Sequence, residues 1–100
     1  MKNTNQEDKL LLLIILTQWI AEQTDIVYSK IASIANQENV NLSNIVKVTI
    51  YVTNFDNIES LRATLFKHYG SALPASSLVQ VDRLFSPDLK IEVEAIIAVE

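Results

Sequence analysis

IVKVTIYVT, Ile45 to Thr53, decides the fold. Val46, Val48, Ile50 and Val52 recur with the period of two that puts alternate side chains on one face of a pleated strand, and β-branched residues suit that surface. Lys47, Thr49 and Tyr51 fall on the other face, which is mixed rather than plainly wet. Upstream, Ile20, Thr24, Val27, Ile31 and Ile34 step by four, three, four and three, the spacing of one helix face. Glu22 and Asp25 stand near its start, where the helix dipole favours negative charge. The polar, Asn-rich stretch Asn36–Asn44 predicts the end of that helix and a loop.

Downstream, Asp56 and Glu59 form a capping-box-like pair ahead of a second apolar stripe, Ile58, Leu61, Leu65 and Tyr69. Gly70 stands where a left-handed C-cap is expected, and Leu73-Pro74 breaks any continuation. Ser77–Leu84 reads as a strand, Phe85–Leu89 as a turn around Pro87, and Lys90–Val99 as a final strand. In that last strand Ile91, Val93, Ala95, Ile97 and Val99 share a face, with Glu92 and Glu94 opposite.

At the other end, Leu10–Leu16 (LLLLIIL) is an unbroken apolar run behind a polar start, and residues 1–8 read as a frayed tail. The run is far shorter than the roughly 20 apolar residues of a membrane span. Glu7 and Asp8 beside Lys2 and Lys9, with no small-residue cleavage pattern following, fit a signal peptide badly. A strand buried on both faces suits it better, with a buried helix start as the alternative. The expected location is cytoplasmic, with no membrane partner.

The order is therefore strand, helix, strand, helix, strand, strand. The strand–helix–strand units predict parallel crossovers and the last two strands an antiparallel hairpin. Two helices cover one face of such a sheet. Tyr51, Ile96 and Ala98 lie opposite the main apolar stripes, so association of copies through the open face is the physical expectation.

At 100 residues, with 49% hydrophobic and 20% charged residues, the chain is one domain, residues 1–100, with enough apolar surface for a core. It has no cysteine, which excludes disulfides, thiolate metal sites and a cysteine nucleophile. The single histidine, His68, argues against multi-histidine metal sites and a histidine triad. A net charge of −4 argues against a nucleic-acid partner. His68, beside Lys67 at the end of the second helix, reads as a surface histidine favoured by the dipole. Trp19 is expected to anchor the strand–helix corner, and Leu84 and Phe85 to serve core or interface. Glu92 and Glu94 share a strand face but are too few oxygen ligands for a good cation site. No base is placed by the sequence beside Ser76 or Ser77 to make a nucleophile.

Three stretches, AEQTDIVYSKIASI, NLSNIVKVTIYVTNFDNIESL and LPASSLVQVDRL with KIEVEAIIAV, resemble the YjgF/Rid family of reactive intermediate deaminases, also labelled endoribonuclease L-PSP. The resemblance covers about four-fifths of the chain and is most specific in the last stretch. It implies an α+β, chorismate-mutase-like fold, a mixed sheet with two helices on one face, assembled as a homotrimer with ligand clefts between subunits. It implies no cofactor and no metal. The implied partners are a sister subunit and a small metabolite, an enamine, imine or keto acid.

The same resemblance assigns the site. Deaminating members carry an arginine directly after Pro-Ala to pair with the substrate carboxylate, and here Ser76 follows Pro74-Ala75. A hydroxyl donates one hydrogen bond but brings no charge. Ser77 and Leu78 continue the substrate-binding stretch, and Thr17 falls near the place of a Ser-Gly pair beside the family's cleft. The family's tyrosine-bearing first strand has no counterpart, so the N-terminus is short for the family. Arg83 lies an odd number of residues along the expected strand and so on its other face, leaving Arg62 or Lys90 of a neighbouring subunit as substitutes. Glu92 matches the acid that positions or activates water, a general base if burial raises its pKa. The expectation is a metabolite cleft with reduced or absent deaminase activity. An active enamine/imine deaminase releasing a 2-keto acid and ammonia is the alternative, and RNA cleavage the least supported.

Overall fold

A computed structural model describes residues 19–99 of the chain. The expected first strand, Leu10–Leu16, and Thr17 lie outside the described residues. Helix α1 spans Ile20–Gln37, strand β1 Ile45–Val52, helix α2 Ile58–Tyr69, strand β2 Ala75–Gln80 and strand β3 Ile91–Ile97. A short 3-10 turn, Leu42–Asn44, leads into β1, capped by the Asn41 side chain.

Strand β1 lies at the middle of the described sheet, in the order β2-β1-β3. β2 runs parallel to β1, the crossover expected of strand–helix–strand, while β3 is antiparallel to β1. The expected hairpin between the last two strands is therefore not formed. β1 thus has a strand on either flank, and its Val48, Ile50 and Val52, all 0–1% exposed, project from one face into the core shared with the helices. β2 is also shorter than expected. It starts at Ala75 rather than Ser77 and ends at Gln80, so Leu84 and Arg83 lie in the loop and the strand-parity argument against Arg83 lapses. β3 likewise ends at Ile97, leaving Val99 54% exposed.

The alternation of β1 is broken once. The pairing with β3 shifts between Ile45 and Lys47, making Val46 the extra residue of a bulge. Ile45 turns inward at 5% exposure and Val46 outward at 52%, the reverse of the expectation from strict period two.

The helix-side face of the sheet carries the core: Ile45, Val48, Ile50, Val52 and Ile91 against Ile20 and Tyr28 of α1 and Leu61 and Tyr69 of α2. Each such aliphatic contributes about 1.5–3 kcal/mol on burial. In α1 the stripe bends from the expected line, since Ile34 is 48% exposed and Tyr28 and Ala35 are buried in its stead. α1 ends at Gln37, and Asn39, two residues on, takes φ 63°, the left-handed conformation that asparagine tolerates better than most. α2 opens at Asn57 with no side-chain cap, so the Asp56–Glu59 box is not made; instead the Asp56 N–H is held by Asn54 Oδ1 at 3.0 Å. Gly70 ends α2 with φ 60°, positive as expected, its N–H donating to Phe66 O at 2.9 Å.

Between the helices lies a polar seam. The Tyr28 and Tyr69 hydroxyls are hydrogen-bonded, and His68 stacks on Tyr28 at 5.2 Å between ring centres. Asp25 Oδ1 accepts from His68 Nε2 at 2.7 Å and from Lys67 Nζ at 2.8 Å. His68, only 17% exposed in its side chain, is thus a packed helix-seam residue and not a surface one. Burial, foremost, pushes the Tyr28 and Tyr69 hydroxyls above their ordinary range. Trp19 precedes α1 in extended backbone with its side chain 69% exposed.

Candidate functional site

The side chains that carry chemistry collect on the sheet face away from the helices. Pairing across β1 sets them in three rows: Ala75, Lys47 and Ile96; Ser77, Thr49 and Glu94; Val79, Tyr51 and Glu92. These rows follow directly from the alternation of β1, because residues paired across strands share a face. Ser76 and Leu78 pair with Val48 and Ile50 and so belong to the helix side. Leu78 packs half-buried against the core, and Ser76 is exposed on the β2 edge.

Ser77 and Glu92 thus share one face, while Ser76 and Glu92 lie on opposite faces and on different strands flanking β1. Within one subunit the geometry does not bring Ser76 and Glu92 together. Glu92 is exposed. Of the cations weighed from sequence, Arg62 pairs with Glu59 on α2 at 3.8 Å, Arg83 pairs with Asp82 in the loop at 3.6 Å, and Lys90 immediately precedes β3.

Sequence reasoning did not single out the Tyr51–Glu94 contact. Tyr51 Oη donates to Glu94 Oε1 at 3.0 Å, a diagonal contact across β1 and β3. That bond to the carboxylate, with smaller effects of desolvation and of the charges on Glu94 and Glu92, holds the phenol above its ordinary pKa. The period-two pattern placed Tyr51 on this face and could have flagged it. Beside the contact is an open concavity of about 460 Å³ lined by Lys47, Thr49, Glu94, Ala95 and Ile96. A second, of about 560 Å³, lies at the β2–β3 loop among Thr53, Arg83, Phe85 and Lys90.

Gln23 was also unmarked in the sequence. Fully buried on α1, it donates from Nε2 to Asp88 O at 2.8 Å and accepts at Oε1 from Lys90 N at 2.7 Å. It pins the backbone two residues before Glu92, fixing where β3 begins. Among the described residues no group of three or more His, Asp or Glu is placed to hold a metal ion, and no helix is long and apolar enough to cross a membrane.

The profile of the endoribonuclease L-PSP family matches residues 13–99. A RutC family protein of Pyrococcus abyssi is 34% identical over 77 residues, 77% of this chain and 60% of that protein. The mitochondrial protein MMF1 of Saccharomyces cerevisiae is 32% identical over 77% of this chain and 54% of its own length. A 2-iminobutanoate/2-iminopropanoate deaminase of Dermatophagoides farinae is 24% identical over 81% of this chain and 62% of its own. The chain therefore spans between half and two-thirds of the length of these relatives. The crystal structure of yeast Mmf1 superposes with a TM-score of 0.76 at 30% identity, covering 85% of this chain and 65% of that one. The Rid-family protein YyfA of Yersinia pestis gives 0.78 at 28% identity, covering 84% and 67%.

Proposed function

The chain belongs to the endoribonuclease L-PSP family, the YjgF/Rid proteins, and from that premise we propose that it binds a small metabolite in a cleft between subunits of a homotrimer, with enamine/imine deaminase activity reduced or absent. The observation that carries this reading is Ser76 directly after Pro74-Ala75. At the position where deaminating members pair a guanidinium with the substrate carboxylate, a neutral hydroxyl supplies one hydrogen bond and no charge. The placement of Ser76 and Glu92 on opposite faces supports a site completed by a second copy. So does the outer sheet face, where Ile96 is 60% and Val79 38% exposed. The cytoplasm is the location proposed with it.

The test is a coupled assay in which a dehydratase generates 2-aminoacrylate and pyruvate release is followed with and without the protein. The expected outcome is no acceleration at micromolar protein, alongside saturable binding of a keto acid by calorimetry. Acceleration by catalytic amounts would establish the second reading, an active deaminase. That reading is supported by Glu92 in the family's acid position and by the deaminase name of the mite relative. A net charge of −4 counts against an RNA substrate.

A further inference from the structure

We propose that Gln23 is the positioning residue of the candidate acid: it fixes where β3 lies along β1, and so decides that Glu92 and not Glu94 stands opposite Tyr51. The use made of Glu92 rests on the metabolite-binding reading above.

The alternation of β3 does not set this register by itself. Ile91, Val93, Ala95 and Ile97 fall on one face and Glu92 and Glu94 on the other. Sliding β3 by two residues therefore keeps every side chain on its own face. After such a slide Val93 would face Val52 and Ala95 would face Ile50, still apolar against apolar, while Glu94 would take the place opposite Tyr51. Apolar burial chooses the face of Glu92. A separate contact must choose its position along the strand.

Gln23 is placed to do so. It stands near the start of α1, 0% exposed, on a helix anchored in the core through Ile20 and Tyr28. Nε2 donates to Asp88 O at 2.8 Å and Oε1 accepts from Lys90 N at 2.7 Å. The carboxamide thus grips a carbonyl and an N–H on either side of Leu89, as the backbone of a neighbouring strand would. Lys90 is followed by Ile91, paired with Val52, and then by Glu92, paired with Tyr51. A slide of β3 would break both bonds at a site closed to water. Farther along, Ala98 N donates to Asn44 O at 2.9 Å, but the pairing shifts at Val46 between that bond and Glu92. Register also separates the two acids. Tyr51 Oη donates to Glu94 Oε1 at 3.0 Å, which leaves Glu92 as the carboxylate not held by that phenol.

The experiment is isotope-edited NMR of the full chain, reading backbone contacts from Tyr51 across to β3, with calorimetric titration of 2-oxobutyrate alongside. Wild type is expected to show Tyr51 against Glu92, and Gln23→Ala to weaken that contact and add one from Tyr51 to Glu94. Glu92→Gln is expected to change 2-oxobutyrate affinity at least about threefold beside Gln23 and not measurably beside Gln23→Ala, the non-additivity of residues acting as a unit. Loss of overall stability alone would leave both readouts unmoved in the folded fraction. If Gln23→Ala does not fold, Gln23→Glu carries the comparison. Its acid is expected to hold the wild-type contact at about pH 5, where it is protonated, and to release it at about pH 8. A Tyr51–Glu92 contact intact in Gln23→Ala, or intact across that pH range in Gln23→Glu, would overturn the proposal, as would an equal effect of Glu92→Gln in both backgrounds. Absence of 2-oxobutyrate binding in wild type would overturn the metabolite-binding reading instead, with the Tyr51 contacts still deciding what sets the register.

Discussion

Ser76 and Glu92 flank the central strand from its two sides and face opposite ways, Ser76 paired with Val48 on the helix side and Glu92 with Tyr51 on the outer side. A longer side chain at position 76 leaves the β2 edge away from its own Glu92. An arginine introduced there therefore meets a Glu92 only where a second copy brings one. Ser76→Arg is expected to raise pyruvate release from 2-aminoacrylate at least about tenfold over wild type, since a bidentate guanidinium–carboxylate pair adds charge that serine lacks. Because Ser76 is exposed, the variant should melt within a degree or two of wild type. No gain in the coupled assay would mean that more than this charge separates the chain from an active deaminase.

Ile96 shares its row with Lys47 and Ala75 and is 60% exposed. If sister copies cover the outer face, a carboxylate at that position is stripped of water with only the directly paired Lys47 opposite it, a desolvation cost of up to several kcal/mol per interface that one such pair offsets only in part. Ile96→Asp is expected to lower the solution mass by light scattering from three times 11.2 kDa to 11.2 kDa. It should leave the far-ultraviolet dichroism of the subunit unchanged, since the helix-side core does not include Ile96. A wild-type mass already equal to one subunit would remove the shared cleft.

The fold was legible where burial follows a simple period. β1, α1, α2 and the β3 alternation all follow from apolar spacing, and Gly70 from the need for positive φ. Strand partnership was not legible, because adjacency in sequence suggested a β2–β3 hairpin, whereas the apolar β1 takes both as neighbours. The Val46 bulge escaped for a related reason: Ile45 and Val46 are equally apolar, and only pairing with Ile96 and Ile97 decides which turns inward. At the site, the family motif marked Glu92 and Ser76 but carried no information on their faces. Parity within each strand does, once β1 is known to lie between them. Gln23 read as a polar residue on a helix, and its two backbone partners lie 65 and 67 positions away, beyond any local pattern.

Those two partners make Gln23 a stability prediction. Removing its carboxamide leaves the Asp88 carbonyl and the Lys90 N–H without their partner at a site where Gln23 itself is 0% exposed. Gln23→Ala is expected to cost about 2–4 kcal/mol in urea unfolding, the sum of two unmade hydrogen bonds and a small cavity. Gln23→Glu keeps the acceptor for Lys90 N and, where the new acid is protonated, an O–H to donate to Asp88 O, so a smaller loss is expected at low pH and a larger one once the acid ionises and that donor is gone. Equal stability of wild type and Gln23→Ala would show that the β2–β3 loop is held by other contacts.

Asp25 gives the chain a pH dependence whose sign follows from its partners. The hydrogen bond from Lys67 lowers its pKa below the ordinary 3.8, opposed by some desolvation and helped by His68. A carboxylate with a depressed folded-state pKa binds protons more readily in the unfolded chain, so its stabilisation is fully present above 3.8 and is lost as pH falls through the folded-state value. The Asp25 side chain is 41% exposed and Lys67 61%, so solvent screening keeps the contribution below about 1 kcal/mol. Asp25→Asn is therefore expected to be slightly less stable than wild type at pH 7. The difference should shrink steadily below pH 4 and disappear once Asp25 is protonated in both states. Added salt should narrow the gap at pH 7 for the same reason. Urea titrations of the two proteins at a series of pH values measure this directly, and a difference that stays constant through the acid range would assign the effect to packing around His68 and Tyr28 instead of charge.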